Sequence, residues 1–416
     1  MNQGQGKRQL YLVMTDKKHS YCLYRIEEPQ FTPGEDETTI KDLGKPLLEM
    51  DESMFPTLMD FAAVDSRIYM VGGLTYDKRK ERTRVSKKVF IYDTESSALS
   101  SGPKLNSAKL NPRLITLGTK IFVLSDTIHA YDSSSLDREP RFEMLDTKNL
   151  KRGWSPLPSP KLNTLTTIKW TMFSDVFSVH ALTAVFCGGG GIIVLSICDA
   201  GTYVFDVDKQ VWNYVTDELL PFEGTVMSLP HDPSWCCAFS LKSQRFSAFR
   251  FCYGGGDESN SGFHVEEIRI DDTNSFSPPL LPDICNGPSM TVSGHGLVYF
   301  VNTGFDDDFD DEESTCTSEN RYVIVSALQL SNVNHGFSNK GQSLKRCGMA
   351  KKHIAHREDK KNETTELEVG LNKAKSSKRG KKKRKMEHVE EEEELILTRI
   401  WRNCFFGGLV TNAFAM

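Results

Sequence analysis

The chain has 416 residues, of which 38% are hydrophobic and 26% are charged, and its formal net charge is −5 at pH 7. This composition is typical of a folded globular protein, and the length allows one large repeat domain or two to three ordinary ones. No apolar run reaches the length of a membrane-spanning helix, and Leu10–Met14 is too short for the apolar part of a secretory signal peptide. We therefore expect a protein of the nucleus or cytoplasm, with no membrane partner.

The charge is distributed unevenly along the chain. Residues 336–416 contain 19 Lys and Arg against 11 Asp and Glu, whereas residues 1–335 contain 32 basic and 45 acidic residues. The two parts therefore carry net charges of +8 and −13. This asymmetry predicts an acidic folded body and a basic tail that differ in character.

The first predicted elements are two strands in "QLYLVMTDKKHSYCLYRIE", followed by a clearer pair in "FAAVDSRIYMVGG". In the second pair, the polar break Asp65-Ser66-Arg67 separates two apolar runs, which predicts a β-hairpin with a tight turn. The pair ends at Gly72-Gly73, where we expect unusual backbone dihedrals and little room for a Cβ. A basic loop follows, and the next apolar run, Val89–Tyr92, ends at Asp93.

This order of elements recurs along the chain. The second strands of the four clearest copies end at Asp93, Asp146, Asp206 and Asp271, and a further copy combines "PSMTVSGHGLVYFVNTG" with "RYVIVSALQL". Apolar runs without alternation indicate strands that are buried on both faces. Units of four such strands stacked around an axis predict an all-β fold, a β-propeller with six blades, over residues 8–335.

The ends of the predicted units share polar and aromatic signals. An Asp that opens a turn is expected to cap that turn through its side chain. Trp154 and Trp212 follow two of these turns and are predicted to return to the core between blades. The proline-containing segments "SGPKL" and "SPLPSPKL" then lead to the next unit.

The order of apolar strand, Gly-Gly, loop, aromatic-Asp, Trp and "PLP" resembles kelch repeats. Taken whole, the chain resembles a plant family of uncharacterised propeller-like proteins that is numerous in grasses. The shared motifs stand here as Tyr11-Leu12-Val13, Phe142…Trp154…Leu157-Pro158-Ser159-Pro160 and Phe205-Asp206…Trp212…Leu220-Pro221-Phe222-Glu223-Gly224. The resemblance implies a kelch-like propeller and carries no activity or cofactor. Related plant proteins join kelch repeats to an N-terminal F-box, which we do not expect here because a strand begins by Leu10.

The basic loop after Gly73 opposes the net charge of the predicted body. Long loops on a rigid scaffold often carry binding function, so this loop is the predicted contact with a protein partner of unknown identity. The alternative is a flexible, solvated hairpin loop. The candidate residues are Lys78, Arg79, Lys80, Arg82, Arg84, Lys87 and Lys88.

The charged tail, predicted over residues 336–416, is expected to be largely disordered or partly helical because blocks of like charge repel and bury no surface. Its basic run also fits a nuclear localisation signal read by an import receptor. Nucleic-acid binding through phosphate contacts is a weaker alternative, since no aromatic residues interrupt the run. The candidate localisation residues are Lys378, Arg379, Lys381, Lys382, Lys383, Arg384 and Lys385.

Motifs for catalysis, cofactors and metals are incomplete. "CGGGGI" lacks the Lys and Ser or Thr of a phosphate-binding loop and is predicted to be a hairpin turn. The ten cysteines form no Cys-x-x-Cys pair, lie mostly in apolar runs and are predicted to be reduced core residues. Glu267 and Asp271 match two positions of an iron motif in kelch-like plant specifier proteins, but Ser275 occupies the third. We predict no catalytic, cofactor or metal residues.

The favoured functional prediction is a non-enzymatic protein-interaction scaffold. One alternative is a nuclear protein that associates with nucleic acid through its basic tail. A less favoured alternative is an enzyme whose site lies in the central channel of the propeller.

Overall fold

The computed structural model describes residues 9–15, 20–27, 40–41, 43–77, 81–125, 127–129, 141–161, 176–187, 189–229, 232–243, 245–253, 263–272, 289–293, 297–305, 321–332, 395–406 and 409–415. Within these residues the chain forms 28 strands and one 3-10 helix, Thr147–Arg152. The predicted all-β class is confirmed.

The first three sheets have four strands each. The first contains β1 (Gln9–Thr15), β2 (Tyr21–Glu27), β4 (Leu48–Met50) and β28 (Leu409–Ala415), in the order β28-β1-β2-β4. The second contains β5 (Asp60–Val64), β6 (Arg67–Val71), β9 (Val89–Asp93) and β10 (Ala98–Ser101), in the order β10-β9-β6-β5. The third contains β11 (Pro112–Leu117), β12 (Lys120–Ser125), β14 (Phe142–Asp146) and β15 (Ser155–Leu157), in that order.

The remaining strands form two larger sheets and one hairpin. The fourth sheet contains β13 (Thr127–His129), β16 (Val176–Cys187), β17 (Gly190–Ile197), β18 (Gly201–Asp206) and β19 (Val211–Thr216) in that order, with β20 (Gly224–Met227) beside β16. The fifth contains β3 (Ile40–Lys41), β21 (Trp235–Ser240), β22 (Arg245–Tyr253), β23 (Phe263–Asp272), β24 (Ser289–Ser293), β25 (Leu297–Phe305), β26 (Arg321–Asn332) and β27 (Leu395–Phe406). Its order is β21-β22-β23-β27-β26-β25-β24, with β3 beside β27. The hairpin consists of β7 (Leu74–Asp77) and β8 (Arg82–Val85).

Strands of neighbouring sheets contact each other. β5 contacts β11, β11 contacts β16, β20 contacts β24, and β24 contacts β28, which in turn contacts β5. β16 and β20 pair directly, in parallel. The first and last strands of the described chain also share a sheet, because β28 pairs antiparallel with β1.

The central strand β6 of the second sheet buries both faces, as its unbroken apolar sequence predicts. In β6, Ile68 and Met70 pack with residues of the first sheet, whereas Tyr69 and Val71 pack with residues of the third sheet. All four side chains are fully buried. Because successive side chains of a strand point to opposite faces, each sheet of this kind needs a neighbour on both sides.

The predicted hairpins and turn caps are present. β5 and β6 pair across the break at Asp65-Ser66, and β16 and β17 pair across the glycines of "CGGGGI". The Asp93 carboxylate accepts hydrogen bonds from the backbone N–H and the hydroxyl of Ser96, at 2.9 and 2.8 Å. These bonds lower the pKa of Asp93 below its ordinary value.

Two tryptophans connect neighbouring units through the same contact. Trp154 Nε1 donates to the carbonyl of Pro103 at 2.9 Å, and Trp212 Nε1 donates to the carbonyl of Pro158 at 2.8 Å. Pro103 and Pro158 lie in the predicted exits "SGPKL" and "SPLPSPKL". Each indole therefore fixes the segment that leads into its own unit, and the prediction that the tryptophans return to the core is confirmed for the buried Trp154.

Two strands lie in the segment that the sequence analysis assigns to the charged tail. β27 pairs with β26, and β28 pairs with β1, so residues 395–406 and 409–415 belong to the sheets. Both segments are rich in the apolar and β-branched residues that suit strands. Residues 334–393 lie outside the described residues, and the predicted boundary at residue 335 stays a prediction. Within the described residues no helix is long and apolar enough to cross a membrane.

Gly73 provides a test of this packing. Its φ is +87°, and a Cβ built on it would lie 2.2 Å from the carbonyl oxygen of Thr57. Gly189 has nearly the same φ, +85°, but a Cβ there would meet no atom within 4 Å. Gly189→Ala is expected to cost about 1–2 kcal/mol for the left-handed conformation alone. Gly73→Ala is expected to cost clearly more, because the clash is with backbone. Free energies of unfolding in urea measure the difference, and equal losses would contradict the packing argument.

Candidate interaction surface

The predicted basic loop contains a two-stranded hairpin, β7–β8, inserted between β6 and β9. Of its predicted contact residues, Arg82 and Arg84 lie on β8, and all four β8 residues are exposed. Lys87 and Lys88 follow the hairpin, and Lys78, Arg79 and Lys80 lie outside the described residues. Arg82, Arg84, Lys87 and Lys88 are therefore exposed, while their contact with a protein partner stays a prediction.

The two faces of the hairpin differ in chemistry. Its register pairs Leu74 with Val85 and Tyr76 with Thr83, so these side chains share one face. Arg82 and Arg84 lie on the other face, because side chains alternate along a strand. Arg84 Nη2 lies 3.5 Å from Asp77 Oδ2, and this ion pair is too exposed to stabilise the hairpin strongly.

Apolar side chains on and beside the hairpin are unusually exposed. Tyr76 is 59% exposed and Val85 is 41% exposed, and in the neighbouring segment Met54 and Leu58 are 63% and 47% exposed. That segment joins the hairpin through backbone hydrogen bonds between Thr57 and Leu74 at 2.8 and 2.7 Å. Large exposed apolar groups with a charged border are typical of binding surfaces. We call the following residues the hairpin patch: Met54, Leu58, Tyr76, Arg82, Arg84, Val85, Lys87 and Lys88.

Two lysines of the patch hold backbone as well as presenting charge. Lys87 Nζ donates to the carbonyl of Asn106 at 2.6 Å, and Lys88 Nζ donates to the carbonyl of Met54 at 3.4 Å. Their ammonium groups thereby connect the end of the hairpin to the segments on either side of it. Arg82 and Arg84 are consequently the better candidates for direct contact with a partner.

Beneath the hairpin lies a buried ion pair that the sequence analysis did not predict. Lys109 Nζ is 2.6 Å from Glu143 Oε1, and the side chains are 1% and 0% exposed. Lys109 also donates to Ser107 Oγ at 2.7 Å. The only sequence signal is a charged residue within the apolar strand "FEMLD", which is the context in which a buried charge needs a partner.

Glu143 satisfies the backbone of the segment that joins the second and third sheets. Its Oε2 accepts from the backbone N–H and the Nδ2 of Asn106 at 2.8 and 2.7 Å. Its Oε1 accepts from the backbone N–H and the hydroxyl of Ser107 at 3.1 and 3.3 Å. With the Lys109 ammonium, five donors converge on this carboxylate, which is the arrangement that makes burial of a charge tolerable.

The same segment fixes the base of the hairpin. Gly73 N donates to the carbonyl of Lys109 at 3.0 Å, and Leu105 N donates to the carbonyl of Lys87 at 3.0 Å. Ser86 N donates to the carbonyl of Gly73 at 2.8 Å, which closes the hairpin. Glu143 therefore holds the segment that contains Lys109, and this segment in turn holds the base of the exposed hairpin.

The other candidate sites do not assemble in the described residues. Glu267 Oε1 accepts from the hydroxyls of Ser243 and Ser247 at 2.7 and 2.8 Å. Burial raises the pKa of Glu267, but these hydrogen bonds outweigh it and the pKa is lowered. Its role in the described structure is thus to hold a turn, and the side chain of Asp271 lies outside the described residues. Within the described part of the chain, no group of three His, Cys, Asp or Glu residues could hold a metal ion.

The cysteines of "WCCAF" are buried and free, as predicted. Burial raises the pKa of Cys237 to about 12 and also raises the pKa of Cys236. Both thiols therefore remain protonated at neutral pH and act as core residues. The localisation residues of the tail, Lys378 to Lys385, lie outside the described residues.

These features define a mostly antiparallel β protein with an exposed basic and apolar insertion. The chain belongs to the family described as "Protein of unknown function (DUF1668)", whose model matches residues 7–353. No curated protein sequence matches the chain. The predicted membership of an uncharacterised family is thus confirmed.

The buried ion pair gives a second prediction. Glu143→Gln leaves the Lys109 ammonium buried without a counter-charge, and we expect it to lower the free energy of unfolding by about 3–5 kcal/mol. Lys109→Met leaves a carboxylate that still accepts from backbone and side-chain donors, so its cost should be smaller. The double variant Glu143→Gln/Lys109→Met should be more stable than the sum of the single effects predicts.

A surface pair provides the control. Lys209 Nζ lies 3.2 Å from Asp206 Oδ2, and the Lys209 side chain is 68% exposed. Lys209→Met is expected to cost less than about 1 kcal/mol. Chemical denaturation of all four variants measures these values. Additive effects of Glu143→Gln and Lys109→Met would show that the buried charges are not coupled.

Proposed function

We propose that this protein is a non-enzymatic protein-interaction scaffold built on a six-bladed, kelch-like propeller of plant type. The hairpin patch is the proposed contact with its partner. The exposure of large apolar side chains beside Arg82 and Arg84 is the observation that carries the proposal.

The proposed propeller is supported by contacts between six strands of the sheets. In the order β28, β5, β11, β16, β20 and β24, each strand contacts the next, and the last contacts the first. Each begins a group of four strands if β20 precedes β21, which the bridge between Ser228 and Cys236 supports. The pairing of β28 with β1 then joins both ends of the chain in one blade. The motifs that resemble kelch repeats favour the same arrangement.

The scaffold role is supported by the contrast between rigid sheets and the inserted hairpin. Isolated two-stranded hairpins are marginally stable in water, yet this hairpin exposes Tyr76 and Val85. A partner that covers these side chains would remove apolar surface from water and stabilise the hairpin at the same time. The buried Glu143 network would keep the base of the hairpin in place during such binding.

The chemistry of the patch indicates the kind of partner. Arg82 and Arg84 lie within a body whose residues 1–335 carry a net charge of −13. Their local positive field attracts acidic groups and increases association rates. The apolar face of the hairpin would bind one or two apolar side chains. The partner is therefore proposed to be a protein with an acidic surface that also presents apolar residues.

Substitutions in the patch test the scaffold role. Tyr76→Ser/Val85→Ser and Arg82→Glu/Arg84→Glu should each remove the same set of proteins from quantitative affinity captures of the intact chain. With a purified partner from that set, either double variant should weaken binding at least about tenfold. Binding to the wild-type chain should also weaken as salt is raised.

Val211→Ser and Leu99→Ser are matched controls, because these side chains are 49% and 40% exposed on β19 and β10, outside the hairpin. Both controls should retain the wild-type partners. If the patch variants retain every partner as well, the patch is not the contact surface.

We also propose that the tail directs the protein to the nucleus through its basic run. In a fluorescent fusion, replacing Lys381, Lys382, Lys383, Arg384 and Lys385 by Gln should shift the protein from nucleus to cytoplasm, because import receptors bind extended basic runs through acidic grooves. Replacing Lys351, Lys352, Lys360 and Lys361 by Gln changes a similar charge outside that run and should have little effect. An unchanged nuclear fraction in the first variant would refute this route.

A further inference from the structure

The hydrogen-bond pattern of the hairpin fixes which backbone groups of β8 point outward. Leu74 exchanges both of its backbone hydrogen bonds with Thr57, at 2.7 and 2.8 Å. Its N–H and C=O therefore point away from β8, and the pair Leu74–Val85 is not hydrogen-bonded across the hairpin. Ser86 N donates to the Gly73 carbonyl at 2.8 Å, which fits the alternation of an antiparallel ladder.

The same alternation extends to the end of β8. Hydrogen-bonded and non-hydrogen-bonded pairs alternate, so the backbone N–H and C=O groups of Arg82 and Arg84 bond to β7. The same groups of Thr83 and Val85 point away from β7. No backbone hydrogen bond joins Thr83 or Val85 to another segment within the described residues. Both residues are also exposed to solvent.

Just beyond the end of β8, the outward edge of the chain forms a backbone hydrogen bond with another segment. Two residues beyond Val85, the carbonyl of Lys87 accepts a hydrogen bond from Leu105 N at 3.0 Å. Within the part of the chain that the structure describes, β7 is the only strand that pairs with β8. β8 is thus an exposed edge strand that carries no proline, with a threonine and a valine at its outward positions, and such edges readily accept another strand.

From this geometry we propose that β8 binds an extended acidic segment of the partner as an added β-strand. This proposal rests on the scaffold function proposed above and specifies its binding mode. Thr83 and Val85 exchange main-chain hydrogen bonds with the segment. Arg82 and Arg84, two residues apart on one face, contact alternate carboxylates. Apolar side chains of the segment lie against Val85 and Tyr76 on the other face.

Charge favours an acidic partner over a second copy of this chain. Pairing of two β8 strands would bring Arg82 and Arg84 of one copy beside the same residues of the other, and like charges on neighbouring strands are destabilising. An acidic segment replaces this repulsion with attraction. The spacing of Arg82 and Arg84 also favours a partner segment with an acidic residue at every second position, because side chains on one face of a strand recur at every second residue.

Three synthetic peptides test the binding mode on the intact protein. The first alternates Asp and Val, the second is the same peptide with N-methyl groups on alternate backbone nitrogens, and the third alternates Lys and Val. Calorimetry should detect binding of the first peptide only. Amide hydrogen exchange at Thr83 and Val85 should slow when the first peptide is added, because both N–H groups become hydrogen-bonded.

Variants at Thr83 separate main-chain pairing from side-chain contact. Thr83→Pro removes an outward N–H, which edge strands tolerate, and so should leave the hairpin folded. It should weaken binding of the Asp-Val peptide at least about tenfold. Thr83→Val retains the N–H and should bind as the wild type does. An unchanged thermal transition and unchanged exchange at Arg84 N–H, which points toward β7, would show that Thr83→Pro still folds.

The outcomes distinguish this inference from the scaffold proposal. If the N-methylated peptide binds as well as the first peptide, and Thr83→Pro has no effect, strand addition is refuted while side-chain binding at the patch stands. If the first peptide does not bind and slows no exchange at β8, strand addition is also refuted, and the affinity captures decide the scaffold role separately. If the wild-type chain self-associates and Thr83→Pro abolishes this self-association, the strand that binds β8 belongs to a second copy of this chain and not to an acidic partner.

Discussion

Alternate residues of the central strands pack into different cores, as β6 illustrates: Ile68 and Met70 contact the first sheet, and Tyr69 and Val71 contact the third. Burial of each such side chain contributes about 1.5–3 kcal/mol. A sheet without a neighbour on one side would expose half of these residues. The remaining structure depends on this constraint, because each sheet is stable only between two others. The first sheet has neighbours of this kind, because β28 contacts both β5 of the second sheet and β24 of the fifth sheet.

The Lys109–Glu143 pair is the polar exception within this apolar packing. Glu143 lies on β14, at a position where the alternation would place an apolar residue, and its carboxylate instead satisfies the segment around Asn106 and Ser107. That segment forms no strand between β10 and β11, so its N–H groups need another acceptor. A carboxylate with five donors meets this need, and the hairpin acquires a fixed base as a consequence. The need to pair buried N–H groups in the interior thereby determines where the exposed hairpin patch lies.

Sequence patterns predicted the local elements more successfully than the pairing between distant ones. The break at Asp65-Ser66 and the Asp93 cap are encoded within a few residues, so propensity and turn chemistry sufficed to predict them. β20 was missed because four residues carry too little periodicity. β28 was missed because its pairing with β1 joins opposite ends of the chain. The Lys109–Glu143 contact spans 34 residues and likewise has no local signature. Propeller closure and kelch relationship therefore remain proposals.

The features of the hairpin patch likewise divide into those that the local sequence predicts and those that depend on contacts with distant residues. Its charge was evident from the composition of one loop, and the exposure of Arg82 and Arg84 follows from that charge. The apolar exposure of Tyr76 and Val85 depends on the hairpin register, which places them together on one face. The direction of the backbone groups of Thr83 depends further on the bond between Thr57 and Leu74, from a segment outside the loop. A flexible loop of the same composition would offer only charge. The strand register of the hairpin produces an exposed edge and two faces of different chemistry. This geometry favours a partner segment in which acidic and apolar residues alternate.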